Sequence, residues 1–373
     1  MPVRRLRSAA AGTLRALALA ALCAASPALG AEPLGRYPAD PGQVSVSGIS
    51  SGAFMANQLH IAHSEGIMGA AMVAGGLYGC TILEVQDDGV VSLIGRATGA
   101  CMTAPDLLPD VSSLRETVAT LADKGWIDAP RNLARSHVYL FTGQADQVVN
   151  PATVARASAL YKALGVPDSQ IKFDNKNLPA PGAGHSWVTD AFGIDCNANA
   201  TPYINKCHYD VAGVELAAIY GPLTPPAAAP SGRIVAFDQR EFVAAGAAAA
   251  NGMLDTGYLY VPKACEAGAA QPCRLQVVLH GCMQSSEALG DEFYSKIGVN
   301  EWADTNRIIV LYPQAHATDV AELRIQNALT LFNANLAGCW NWWGYGNDRQ
   351  FLTKKGVQVS ALWAMVQRVT GQR

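Results

Sequence analysis

A serine stands between two glycines and two small or apolar neighbours at Gly48-Ile49-Ser50-Ser51-Gly52, within "VSVSGISSGAFMANQLH", residues 44–60. β-Branched and small residues lead up to Gly48 and an amphipathic run follows Gly52, so the pentapeptide falls where a strand turns into a helix. That is the setting of a nucleophile elbow, G-x-S-x-G, whose sharp turn exposes the central hydroxyl. A serine hydroxyl is a weak nucleophile until a base takes its proton and a third group orients the base. Ser50 therefore requires a histidine and a carboxylate further along.

The chain supplies both, in the order serine, acid, histidine. Asp146, in "TGQADQVVNP", follows the strand-like "HVYLFTG"; His185, in "LPAPGAGHSW", follows the strand-like "QIKFDN" in a loop stiffened by proline and glycine. Taken singly, each has a plainer reading. An aspartate in a G-x-x-D turn caps the next helix, a lone loop histidine is solvated, and Gly-Ser pairs recur in turns. Together, in this order and each after a strand, they read as a catalytic triad. The other histidines fit less well: His60 and His63 follow the elbow on its helix, His137 opens a strand, His208 adjoins a cysteine, and His280 and His316 lie far downstream. Asp190 and Asp195 come after His185, against the order.

An acyl-transfer site also needs donors for the developing oxyanion, each worth about 3 kcal/mol. The elbow provides one, the backbone N–H of Ser51. The H-G signature in "RLQVVLHGCMQSS" points to the N–H of Cys282 as the second. Cys282 reads as half of a disulfide rather than as a nucleophile, a role that leaves its amide available.

These residues need a scaffold, and strand and helix signals alternate along the chain. Strands are expected near 44–48, 69–76, 137–143 and 170–175, and helices from Gly52 and over 151–165. The proline- and alanine-rich "GPLTPPAAAPSGR", residues 221–233, reads as a linker. Beyond it, strands are expected at 233–242, 257–262, 274–281 and 308–314, with helices over 300–307 and 354–369. Alternation of this kind gives a mostly parallel sheet flanked by helices. The second segment has too few helices to cover both faces of its own sheet, so one sheet shared across the linker is expected.

Residues 1–30 read as an export signal: Arg4, Arg5, Arg7 and Arg15, then the apolar "ALALAALCAA", then small residues at Ala28 and Gly30. Taking its four arginines from the 27 basic residues leaves 23 against 30 acidic, a net of −7. Mild acidity without a basic cluster argues against nucleic acid as a partner, and no apolar stretch is long enough for a membrane span. With Cys23 removed, the nine cysteines become eight, an even set that suits disulfides in a secreted or periplasmic protein. Sequence neighbours suggest Cys80 with Cys101, Cys196 with Cys207, Cys265 with Cys273 and Cys282 with Cys339, among about 105 possible pairings. No spacing suits zinc, so neither a metal nor a cofactor is expected.

One feature of the order is unusual: the H-G loop follows the elbow by more than two hundred residues, where it ordinarily precedes it. The last helix has the pattern of one leading into the elbow strand, and joining residue 373 to residue 37 restores the usual sequence of parts. The chain therefore reads as circularly permuted, with 221–233 marking the fused ancestral ends.

At this level the sequence resembles the circularly permuted, single-domain poly(3-hydroxybutyrate) depolymerases of the α/β-hydrolase superfamily. The resemblance runs through "VSGISSGAFMANQLHIAHS", "VAGGLYGC", "TGQADQVVNP", "GAGHSW", "VVLHGCMQ" and "GCWNWWGY". It implies one catalytic domain over 31–373, the triad Ser50, Asp146 and His185, oxyanion donors at Ser51 and Cys282, and a polyester or oligoester substrate handled by a monomer. It also implies a tryptophan at the crevice mouth, within Trp340, Trp342 and Trp343. Core packing beside Cys339 is the plainer account of those rings. Feruloyl, acetyl or other polyester bonds are the alternative substrates on the same fold, and a non-catalytic polymer-binding protein is the alternative of another class.

Overall fold

The computed structural model describes residues 31–175, 182–244, 251–319 and 334–372. The expected export signal, residues 1–30, lies outside the described residues, as do Pro179 and Pro181 of the loop before His185.

Nine strands make one sheet. In chain order they are β1 (Glu32–Pro33), β2 (Ala39–Ile49), β3 (Gly69–Val73), β4 (His137–Phe141) and β5 (Ile171–Asp174), then β6 (Arg233–Asp238), β7 (Thr256–Val261), β8 (Cys273–Leu279) and β9 (Ile308–Tyr312). They lie side by side as β1-β6-β7-β9-β8-β2-β3-β4-β5. Only β7 runs against the rest. Strands from both sides of residues 221–233 thus share the sheet, and β8 pairs directly with β2. Residues 221–232 contain no helix or strand, β6 opening at Arg233; Thr224, Ala227 and Ser231 instead bond to Asn306, Glu301 and Asp304.

Six helices of eight or more residues matter here: α1 (Ser51–Ala62), α2 (Val111–Asp123), α3 (Pro151–Ala163), α4 (Val211–Tyr220), α5 (Val299–Asn306) and α6 (Val357–Thr370). Asn150 caps α3 through Ala152 N–H at 3.0 Å ahead of Pro151, and Asp210 caps α4 through Gly213 N–H at 3.0 Å. Polar sequence hid α2, while α4, apolar on nearly every side apart from Glu215, lacks the period that marks a half-buried helix.

Two apolar clusters build the core. One joins Val44 and Val46 of β2 to α1, α2, α3 and α6; the other joins Ile49, Ala71 and Val73 to α4 and α5. Burying a valine side chain contributes about 1.5–3 kcal/mol, so a parallel strand covered on both faces is strongly held. Ser45 and Ser47 of β2 are also buried, and each is hydrogen-bonded: Ser45 to Tyr220 at 2.7 Å, Ser47 to Gln276 at 3.0 Å.

Four disulfides link Cys80 to Cys101, Cys196 to Cys207, Cys265 to Cys273 and Cys282 to Cys339. Sequence neighbours pair in every case, as expected for short loops pinned in an oxidising compartment. Among the described residues no helix is long and apolar enough to cross a membrane. The last helix returns to the first strands, where Tyr37 N–H donates to Val369 at 2.9 Å.

Candidate active site

The carboxyl ends of β8, β2, β3, β4 and β5 are in register along one edge: Leu279 lies opposite Gly48, Val73 opposite Ile49 and Phe141, and Asp174 opposite Phe141. The loops leaving those ends carry the H-G signature, Ser50, Asp146 and His185. Backbone bonds lace the edge together: Ser50 N–H to Val73, Ala74 N–H to Phe141, and Thr142 N–H to Asp174.

Ser50 sits between β2 and α1 at φ 54°, ψ −122°. A non-glycine residue held there costs on the order of 1–3 kcal/mol, which the surroundings must supply. The flanking glycines show how. A Cβ at Gly48 would collide with the carbonyl of Gly52, and one at Gly52 with the carbonyls of Leu279 and His280. The turn closes only because neither residue has a side chain, so the G-x-S-x-G spacing is a packing requirement. Ser50 occupies the N-cap of α1, yet its side chain makes no capping bond. The N–H of Ser51 opens the helix and belongs to the first turn, where no intrahelical acceptor exists.

Asp146 and His185 meet directly. His185 Nδ1 lies 2.9 Å from Asp146 Oδ2, and both residues are buried, at 3% and 7% exposure. The other carboxylate oxygen accepts from the N–H groups of Val148 and Val149, each at 2.9 Å. The turn-forming role of Asp146 and its bond to histidine therefore coexist, one oxygen for each. With Nδ1–H donated to the carboxylate, Nε2 is the lone-pair nitrogen. Tyr203 meets the imidazole edge-on, with ring centroids 5.7 Å apart. Ser50 and His185 share a pocket of about 160 Å³ with Ile49, Met102, Val148, Tyr203 and the Gly281–Gln284 loop.

That loop is anchored from three sides. Ala315 N–H donates to His280 Nε2 at 3.0 Å, so the ring carries its proton on Nδ1, which donates to the carbonyl of Gly281 at 2.7 Å. Burial pushes the imidazole down to about 4, against a smaller opposing effect of its own backbone bond, and it stays neutral near pH 7. The carbonyl of Gly281 and the N–H of Cys282 belong to one planar trans peptide and point in opposite directions. Fixing the first fixes the second, aimed away from His280. Gln284 Oε1 accepts from Gly281 N–H at 2.7 Å while its amide nitrogen bonds Pro202 and Tyr203, and Cys282 is tied to Cys339. The histidine of the H-G pair is thus a brace, and its distance along the sequence from Ser50 disguised that; Gln284 carried no sequence signal.

The structure separates the tryptophans. Trp340 has no exposed surface and packs on His280 at 5.4 Å, and Trp342 is buried in a stack on Phe54 at 4.1 Å. Neither can touch a substrate as it stands, because the apolar core claims both rings. Trp343 is half-buried and lines a separate apolar cavity of about 460 Å³ with Ile94, Thr98 and Leu336. None of the three lines the pocket at Ser50. Met102, Val148, Tyr203 and Met283, which do, were not legible in sequence, since they arrive from four separate loops. His60 and His63 are buried, and burial lowers them to about 3 and about 4, as befits core histidines.

No family model matches the chain. It is 38% identical over 368 residues to a poly(3-hydroxybutyrate) depolymerase of Delftia acidovorans, spanning 98% of this chain and 66% of that protein, just under two thirds of its length. It is 36% identical to a polyhydroxybutyrate depolymerase of Talaromyces funiculosus, over 94% of this chain and 96% of that one. Among solved structures, it superposes on the PHB depolymerase of Penicillium funiculosum with a TM-score of 0.76, at 31% identity over 91% of this chain and 99% of the other. A serine-to-alanine PHB depolymerase in complex with an R3HB trimer matches with a TM-score of 0.77, at the same identity and coverage. With the α/β-hydrolase sheet, the elbow and these relatives in view, the chain belongs to the polyhydroxybutyrate depolymerase family.

Proposed function

We propose that this chain is a secreted or periplasmic serine esterase that hydrolyses poly(3-hydroxybutyrate), or its oligomers, to short 3-hydroxyacids. The observation that carries the reading is the buried Asp146–His185 pair, 2.9 Å apart, opening into the same pocket as a serine strained to φ 54° at a strand–helix elbow. A relative of the same fold that binds an R3HB trimer supplies the substrate class. Four disulfides support an oxidising compartment.

In this mechanism Ser50 Oγ attacks the ester carbonyl while His185 Nε2 takes its proton. Asp146 holds the imidazole tautomer and stabilises the imidazolium as it forms. The N–H groups of Ser51 and Cys282 receive the oxyanion. His185 then protonates the leaving hydroxyl and later activates the water that releases the acyl group. No step requires a cofactor or a metal. Met102, Val148, Tyr203 and Met283 give the acyl group apolar walls, and Trp343 is the tryptophan we assign to the approach of the chain, being the half-buried one. The enzyme acts as a monomer, in one domain over 31–373. Circular permutation accounts for the topology: β8 and its H-G loop stand beside β2, and α6 delivers the chain next to residues 34–37 through Arg368 to Leu34 at 3.2 Å and Val369 to Tyr37.

The test is clearing of a turbid poly(3-hydroxybutyrate) suspension by the purified protein, with Ser50→Ala and a soluble nitrophenyl ester alongside. Wild-type clearing that Ser50→Ala abolishes is the expected result. Cleavage of the soluble ester without clearing moves the substrate to oligomers or to feruloyl or acetyl esters. Hydrolysis that survives Ser50→Ala overturns the triad.

A further inference from the structure

The acid and the base of the triad come from loops that leave two adjacent, paired strands: Asp146 follows β4, and His185 lies beyond β5. One backbone bond joins the two loops, from Ala145 N–H to the Ala183 carbonyl at 3.0 Å, and one side chain bridges them on both sides of Asp146. Asn199 Oδ1 accepts from His185 N–H at 2.8 Å and from Gln147 N–H at 2.9 Å, while its Nδ2 donates to the Ala145 carbonyl at 3.0 Å and to Asn197 at 3.2 Å. Two acceptor bonds and two donor bonds use the full capacity of a carboxamide, and only one orientation of the amide satisfies all four. The backbone on both sides of Asp146 and the backbone of His185 are thereby bonded to one rigid planar group.

The group itself is held. Cys196 is bonded to Cys207, Gly184 N–H donates to the Cys196 carbonyl at 2.9 Å, and Asn205 Nδ2 bonds the carbonyls of Cys196 and Ala198 at 2.9 and 2.8 Å. Gly184 permits this approach, since a Cβ there would strike the Ala198 carbonyl. Asn199 is therefore presented by a braced turn rather than by a loose loop.

We propose that Asn199 is a positioning residue for ester hydrolysis: by clamping the Asp146 loop to the His185 loop it sets the contact between carboxylate and imidazole. It touches neither substrate nor the reacting atoms. The inference rests on the triad reading above. A geometric error of about 1 Å between acting groups costs as much as a hundredfold in rate, and the bonds of Asn199 are the direct side-chain bridge between these two backbones.

The test compares Asn199→Leu, which removes all four bonds, with Asn199→Asp, which keeps the two acceptor bonds and loses both donors. Soluble nitrophenyl ester is the substrate, and Ser50→Ala is measured in parallel. The expected result is a fall in kcat of roughly ten- to a hundredfold for Asn199→Leu, with KM changed by less than about threefold. Asn199→Asp should fall in between. The far-downfield proton resonance of the His185 Nδ1–H bond should shift or broaden in the leucine variant while the rest of the spectrum stays folded. A clamp that only stabilises the fold would lower the melting temperature and leave kcat and that resonance in place, and that outcome overturns the proposal. If Asn199→Leu does not fold, Asn199→Asp decides: wild-type kcat in it refutes the clamp. Residual hydrolysis by Ser50→Ala would refute the triad instead, so the two failures are distinct.

Discussion

Glu215 of α4 is fully buried beneath the elbow strand, and its ionisation should make the stability of the fold fall as the pH rises. Its Oε1 accepts from Gln276 Nε2 at 2.6 Å, and that amide also bonds Ser47 of β2, three residues before Ser50; among the described residues Oε2 has no hydrogen-bond partner. Burial pushes the carboxyl up from 4.5 to about 8, with the neighbouring polar groups of Gln276 and Ser47 pulling the other way. The folded acid is then protonated at pH 7 while the unfolded acid is ionised. The contribution to stability is fully present below pH 4.5, is lost progressively as the pH rises to about 8, and changes no further above it. At about 1.4 kcal/mol per pH unit, the loss is about 3 kcal/mol at pH 7 and about 5 kcal/mol above pH 8. Glu215→Gln matches the neutral acid in shape, keeps the acceptor for Gln276 and cannot ionise. Denaturant unfolding at pH 5, 6, 7 and 8, with disulfides intact, should show the variant gaining on the wild type by about 1.4 kcal/mol per unit. A constant difference across that range would refute the argument, because it would mean that Glu215 is ionised in the fold or is reached by water.

Two further outcomes follow from the Gly281–Gln284 loop and the elbow it packs against. His280→Leu removes the donor that fixes the Gly281–Cys282 peptide and leaves the Ala315 N–H without its acceptor. It should lower kcat by about a hundredfold at nearly unchanged KM and destabilise the fold by about 1–3 kcal/mol for each orphaned group; His280→Asn, which can still donate to Gly281, should recover part of kcat, and equal loss in both variants would count against the brace. Gly52→Ala places a methyl group against the carbonyls of Leu279 and His280. Since backbone must yield there, we expect a loss of about 1–3 kcal/mol in thermal unfolding together with near-complete loss of ester cleavage; wild-type kcat would show that the elbow and the H-G loop are not in close contact.

The sequence by itself determined the class of fold and marked out the residues from which we propose the chemistry. Strand and helix periods along 44–60, 137–163 and 257–314 are local patterns, and the sheet follows them closely. The residues proposed as the triad were legible because each carries its own punctuation: glycines around Ser50, a G-x-x-D turn at Asp146, and a glycine-framed loop at His185. Cysteine pairing was legible because the partners are neighbours in the chain. What only the tertiary structure decided depends on distant backbones coming close. Nothing local distinguishes Trp340, which packs on His280 with no exposed surface, from Trp343, which lines a cavity. Asn199 is an ordinary polar residue in a polar stretch until the loops of Asp146 and His185 close on its amide. Residue identity fixes what a side chain can do, while partners far along the chain fix what it is asked to do, and those partners exist only once the sheet has aligned its carboxyl edge.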